Sequence, residues 1–264
     1  MPLSRAGPRF AAARRGYALT MIVSDDRFGR LQPISDVVVV VPVRDEEQLL
    51  PHCVRALRRS AAQVRIPVRI QLVLDACTDG STQVADALAV DSLIVDEHNV
   101  GAARAAGFAA VRSTSGPDTW FATTDADSQV DRAWLSRQLH YARHGADLVA
   151  GVVSVADWDG YSPATRLRYQ RQYEHGGHGG HGHIHGANLG FRAEMYWSTG
   201  GFLAKPSGED VEFVTRAQAA GRTIVWADDV VVSTSGRRNG RAPGGFAAHL
   251  RTVEARWPSE VDSA

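Results

Sequence analysis

The sequence predicts an α/β protein, a single domain with a mostly parallel central sheet flanked by helices. Three observations predict it. Between residues 37 and 155, apolar runs of strand length alternate with segments of helical spacing, as successive strand–helix–strand units do. Residues 37–41 are an unbroken run of valines, the composition of a strand buried on both faces. Asp45, Asp75, Asn99, Asp125 and Asp127 all follow such runs, at the strand ends where open α/β sheets bind ligands.

Each element has its own warrant. After the valine run and Pro42, Asp45 is placed to cap a helix, with Gln48 three residues on and Leu50, Cys53, Val54 and Leu57 at helical spacing. Ile70, Leu72 and Leu74 alternate as a second strand that Asp79-Gly80 ends. Val84, Ala87, Leu88 and Asp91 give a short helix, and residues 93–95 a short strand. Asn99 caps a helix whose small residues permit close packing on the sheet. The stretch TWFATTDADS is a strand running into an acidic turn, and Asp131 caps a helix with Leu135, Leu139 and Ala142 on one face. Residues 148–155 are strand-like. Beyond Asp157 the regularity breaks into a helix (SPATRLRYQRQYEH), a His/Gly-rich stretch, a short strand (ANLGFR), a helix over 210–220, the strand TIVWADDVVVS and a final helix.

Bulk properties narrow the function. The chain has 264 residues and is 44% hydrophobic, enough for a substantial core. Lys+Arg and Asp+Glu balance at 29 each, which argues against nucleic acid or an anionic membrane as a general partner. Two cysteines are too few for a disulfide framework and suit a cytoplasmic location. No run approaches the length of a membrane span, and the arginine-bearing N-terminus is a poor secretory signal. Residues 1–34 are expected to be a mobile extension, with Met21 an alternative start to Met1.

The acidic turn carries the sharpest chemistry. Asp125 and Asp127 flank one small residue, so their hard oxygens can meet on one Mn²⁺ or Mg²⁺ that keeps positions for water and phosphate. An ordinary acidic surface turn is the competing reading. Asp75 can accept a hydrogen bond from a nucleobase N–H, or simply cap its loop. Asn99 and Arg104 lie in the first turns of a helix, where anions are favoured. Glu209 and Asp210 begin another helix, as acids often do through its dipole; Asp210 can alternatively serve as a general base. His181, His183 and His185 share a face if extended, and a zinc site competes there with a glycine-loosened loop.

Six motifs, VPVRDEE, VLDACTDGS, HNVGAARAAG, TTDADS, HGANLGFR and GEDVEF, occur in the order and spacing of family 2 glycosyltransferases of the GT-A fold, which the chain resembles from about residue 36 to 220. The resemblance implies transfer of a sugar from a nucleotide-sugar donor, most readily a UDP-sugar, to an acceptor hydroxyl with inversion. It implies Pro42, Asp45, Asp75, Asn99, Arg104 and Asp125 as donor-binding, with Asp75 on the base. Asp125 and Asp127 would hold Mn²⁺ or Mg²⁺, and Asp210, beside Glu209, would be the catalytic base. His183, His185, Gly186, Ala187 and Asn188 would line the acceptor region, and residues 176–182 would form a mobile lid. Many relatives carry a basic residue or histidine in the C-terminal segment; this chain has no histidine in VVVSTSGRRNGR, so Arg237, Arg238 and Arg241 are either the phosphate clamp or a solvated basic loop. The expected organisation is one glycosyltransferase domain over 35–256, a sugar-nucleotide half (35–127) and an acceptor half (128–256), with a tail over 257–264. The acceptor would be a small molecule, a lipid head group or a protein. A nucleotidyltransferase would want a glycine-rich phosphate loop after the first strand, which VPVRDEE lacks. A non-catalytic sugar-nucleotide module is the third reading.

Overall fold

The computed structural model describes residues 33–174, 182–240 and 244–255, all within one unit spanning Gln32–Ala264. The first strand, β1 (Asp36–Val43), is buried on both faces along its valine run, so it needs strands on both sides. It has them: β2 (Val68–Asp75) and β4 (Thr119–Thr123) both pair with it in parallel. Pairing with β4 ends at Val40↔Thr123, so Pro42 lies past the point where that ladder stops and a missing N–H there is tolerated. Helix α1 (Leu50–Ala61) crosses from β1 to β2, and α2 (Ser81–Ala87) leads to β3 (Asp91–Val95) at the sheet edge. Helix α3 (Val100–Ala110) then returns the chain to β4 on the other side of β1. The strand order therefore reverses between β1 and β4, which opens a crevice at their C-terminal ends.

The small residues of α3 do what the sequence suggested. A Cβ on Gly107 would lie 2.5 Å from Val40 and 2.6 Å from Val73, so this helix sits against β1 and β2 at a distance only glycine permits. Asn99 caps α3 by accepting from the Ala102 N–H at 2.9 Å.

The second half adds β5 (Ser128–Val130), α4 (Trp134–Arg143), β6 (Leu148–Val155), α5 (Pro163–Glu174), β7 (Leu189–Arg192), α6 (Ala193–Ser198), α7 (Glu209–Ala219), β8 (Ile224–Thr234) and α8 (Phe246–Ala255). The described strands form one eight-stranded sheet of order β3-β2-β1-β4-β7-β6-β8-β5. It is mostly parallel; β7 runs antiparallel between β4 and β6, and β5 antiparallel to β8. One face packs Leu50, Leu57, Trp134 and Leu139, the other a ring cluster of Phe108, Phe121, Phe191, Tyr196 and Phe213.

Several expectations change. Asp45 does not cap α1, which starts at Leu50 behind Leu49 with Pro51 in its first turn. Asp131 accepts from the Ala133 N–H, but the residue flanking α4 is Ala133 itself. The strand β5 and helix α6 were not anticipated. Ile34, at the end of the expected extension, is buried in the core; the extension and the tail otherwise lie outside the described residues.

Candidate active site

At the switch point lies a cleft of about 740 Å³. Pro42 and Glu46 reach it from the end of β1, Asn99 and Arg104 from α3, Asp125 and Asp127 from beyond β4. Asp210 comes from the start of α7, Thr234 and Arg237 from the end of β8, and Phe246 and His249 from α8. Elements from both halves of the chain thus share one concavity, the usual form of a small-molecule site.

Arg104 organises the inner wall. It is almost fully buried, donates Nη2 to Asp125 Oδ1 at 2.5 Å and pairs through Nη1 with Glu209 Oε1. Burial opposes its charge, but Asp125 and then Glu209 and Asp210 outweigh burial and hold the guanidinium protonated. A Cβ on Gly186 would fall 2.6 Å from Arg104 Nη2, so the glycine of HGANLGFR is required by the guanidinium lying over it. Glu209, expected beside the base, is buried in this pair and acts on the site through Arg104.

Asp210 is differently held. Its Oδ2 accepts the Gly186 N–H at 2.7 Å and its Oδ1 the Val211 N–H at 2.8 Å, fixing the carboxylate at the cleft. His185, Gly186 and Ala187 line the cleft with it; His183 stacks on His185 with ring centroids 6.2 Å apart. The lid over 176–182 lies outside the described residues except for Gly182.

The acidic turn is closed by a backbone bond from the Ser128 N–H to the Asp125 carbonyl, 3.1 Å. Asp127 Oδ1 accepts from the Ser128 and Thr234 hydroxyls at 3.2 and 3.3 Å. Its Oδ2 pairs with Arg237 Nη2 at 2.9 Å, while Arg237 Nη1 pairs with Glu46 Oε1 at 2.6 Å. Burial pushes the Asp127 carboxyl up, and the Arg237 charge opposes that shift. Two carboxylates of the kind that hold a hard divalent cation stand on the cleft wall, the buried one already paired with Arg237. Among the described residues, no three His, Cys, Asp or Glu side chains group as a metal cluster.

Other candidates have different roles or places. Asp75 lines the cleft, but Oδ1 accepts the Glu97 and His98 N–H groups at 2.7 and 2.9 Å and Oδ2 that of Asn99 at 3.0 Å. Its carboxylate anchors the loop into α3. Asp45 Oδ1 accepts from the Thr78 N–H and lies outside the cleft lining. Asn188, expected in the acceptor region, is wholly buried: Oδ1 accepts from Trp134 Nε1, and Nδ2 donates to the Val152 and Val230 carbonyls, each at 2.8 Å. It pins the register shift where β6 passes β8. Arg238 is at the surface, paired with Glu254 at 2.6 Å and stacked on Tyr161, away from the cleft. Arg241 lies outside the described residues. Sequence reasoning missed Glu46, Phe246 and His249. Glu46 had a signal, being an acid in the same strand-end loop as Asp45; the two α8 residues had none.

A family model described as "Glycosyl transferase family 2" matches residues 38–200. The chain belongs to that family. The chain also resembles solved structures in fold. S. aureus TarS 1-349 in complex with UDP-GlcNAc superposes with a TM-score of 0.57 at 12% identity, over 83% of this chain and 65% of that one. The mannosyltransferase PcManGT from Pyrobaculum calidifontis, in complex with GDP-Man and Mn²⁺, gives 0.57 at 19% identity, over 83% and 68%. The chain spans just under two thirds of the length of the TarS chain. No curated protein matches it by sequence. Among the described residues, no helix is long and apolar enough to cross a membrane.

Proposed function

We propose that the glycosyltransferase moves a sugar from a nucleotide-sugar donor to an acceptor hydroxyl with inversion, using Asp210 as general base. The observation that carries this is the cleft itself, with the Asp125–Asp127 turn and the Asp210 carboxylate brought to one cavity at the switch point. TarS with UDP-GlcNAc and PcManGT with GDP-Man and Mn²⁺ share the fold, which favours a UDP- or GDP-sugar donor and a divalent cation. Asp125 and Asp127 are the residues to hold that cation, Mn²⁺ or Mg²⁺, which would supply charge neutralisation for a departing diphosphate.

The donor's nucleoside lies toward Pro42, Arg44 and His98, where Asp75 shapes the wall by holding the loop amides. The acceptor enters beside His185, Phe246 and His249. Asp210 takes the acceptor hydroxyl's proton as that oxygen bonds to the anomeric carbon, and the bond from that carbon to the diphosphate oxygen breaks on the opposite face. The Gly186 and Val211 N–H groups orient the base without neutralising it. The acceptor is a small molecule, a lipid head group or a protein side chain.

Asp210→Asn keeps the size of the side chain but removes its basicity and one of its two acceptor oxygens. Turnover of a UDP- or GDP-sugar should fall at least about 100-fold, the usual scale for a lost general base. Calorimetric affinity for UDP or GDP should hold. Wild-type turnover in this variant would refute the base; absence of nucleotide binding in the wild-type chain would refute the donor.

A further inference from the structure

Arg237 occupies a specific seat in the cleft. One guanidinium nitrogen is on Asp127 Oδ2 at 2.9 Å and another on Glu46 Oε1 at 2.6 Å, two carboxylates from loops far apart in sequence. Both carboxylates are largely buried and Arg237 is about one quarter exposed, so the contacts are partly shielded from solvent. The remaining oxygen of Asp127 is engaged by Ser128 and Thr234, and Asp125 Oδ1 by Arg104. With the guanidinium seated, Asp125 Oδ2 is the oxygen of this pair without a partner among the described residues.

We infer that Arg237 is a built-in cation that competes with the divalent metal for Asp127, so that metal binding and the Glu46–Arg237–Asp127 bridge exclude one another. The inference rests on the proposed metal role of Asp125 and Asp127. Two causes set the occupants against one another. The guanidinium N–H lies on the Asp127 Oδ2 that a directly bound metal would use while Oδ1 is held by two hydroxyls, and a unit charge beside a divalent one in a partly shielded cleft is repulsive. The metal therefore sees only the fraction of molecules in which Arg237 has left, and its apparent affinity falls by that fraction. Glu46 sets the balance, because it holds the second arm of the guanidinium. Arg237, once displaced, remains beside the cleft on the segment following β8, positioned to meet the diphosphate.

The test is Mn²⁺ binding to the full chain without nucleotide, read as loss of the free Mn²⁺ resonance. Arg237→Ala should bind Mn²⁺ about tenfold more tightly than wild type, or better, because the competent fraction rises toward one. Glu46→Gln, which loosens the guanidinium but leaves Asp127 intact, should tighten binding by a smaller factor. Asp127→Asn should abolish it. Near-ultraviolet circular dichroism checks each variant's fold; if Arg237→Ala does not fold, Glu46→Gln decides alone. Unchanged or weaker Mn²⁺ binding in the folded variants overturns the inference. UDP and GDP calorimetry on the wild type separates the two ideas: nucleotide binding with unaltered Mn²⁺ affinity in the variants sinks only the role of Arg237, whereas no nucleotide binding sinks the donor reading itself.

Discussion

Asp45 sits at φ 52°, in the left-handed region where few residues other than glycine, Asn and Asp are comfortable. Its Oδ1 accepts from the Thr78 N–H at 2.7 Å, the Thr78 hydroxyl at 3.1 Å and the Asp79 N–H at 3.3 Å. The Thr78 backbone bond is the largest cause holding this carboxyl below its ordinary value, against a smaller opposing effect of burial. A carboxyl lowered in the folded state binds fewer protons there than in the unfolded chain. Its contribution is therefore complete above the ordinary value of 3.8 and lost as pH falls through the folded value. Asp45→Ala should cost about 1 kcal/mol at pH 7, discounted for its exposure. In urea unfolding, the gap from wild type should hold at neutral pH and narrow as pH falls below about 4; a gap independent of pH would refute the carboxylate account. Such roles were not legible in the sequence. Strand-end acids look alike whether they face a ligand or a set of amides, and the partners of Asp75 lie 22 to 24 residues away.

Elements were legible where periodicity was long and the cap local. The valine run gave β1 and Asn99 gave the start of α3, because neither depends on distant partners. The start of α1 was misplaced because Asp45 is engaged across the loop by Thr78 and Asp79 rather than by its own helix. Strand β5 has three residues and α6 six, too short for a period to register. What joins the elements at the cleft is again non-local. Arg104 ties α3 to the turn after β4 and to the first turn of α7. Removing one member of a buried charge network leaves the others uncompensated, so Arg104→Met should destabilise by about 3–5 kcal/mol. Adding Glu209→Gln should recover part of that loss, because one stranded carboxylate is then gone. A double-mutant cycle in urea reads both; strictly additive losses would mean that the two side chains do not act as a pair.

At the scale of the molecule, the parallel half followed from the alternation of strand and helix, and with it the position of the switch point. The other half did not, because most of its pairings skip strands in chain order: β7 inserts antiparallel between β4 and β6, and β5 pairs with β8 from more than a hundred residues away. The cleft is the product of both halves, since the turn after β4 is completed by Thr234 and Arg237 from the end of β8. A nucleotide that fills it should therefore act on both halves at once. At about 100 times its dissociation constant, a ligand that binds only the folded state adds about 2.7 kcal/mol of stability. Hydrogen exchange with UDP or GDP and Mn²⁺ should slow together at residues 42–46, 98–104, 125–127 and 234–237, which bracket the cavity. Slowing confined to the first three segments would mean that the end of β8 takes no part in holding the nucleotide. Arg237 would then answer to Glu46 and Asp127 alone, and its place at the diphosphate would have to be given up.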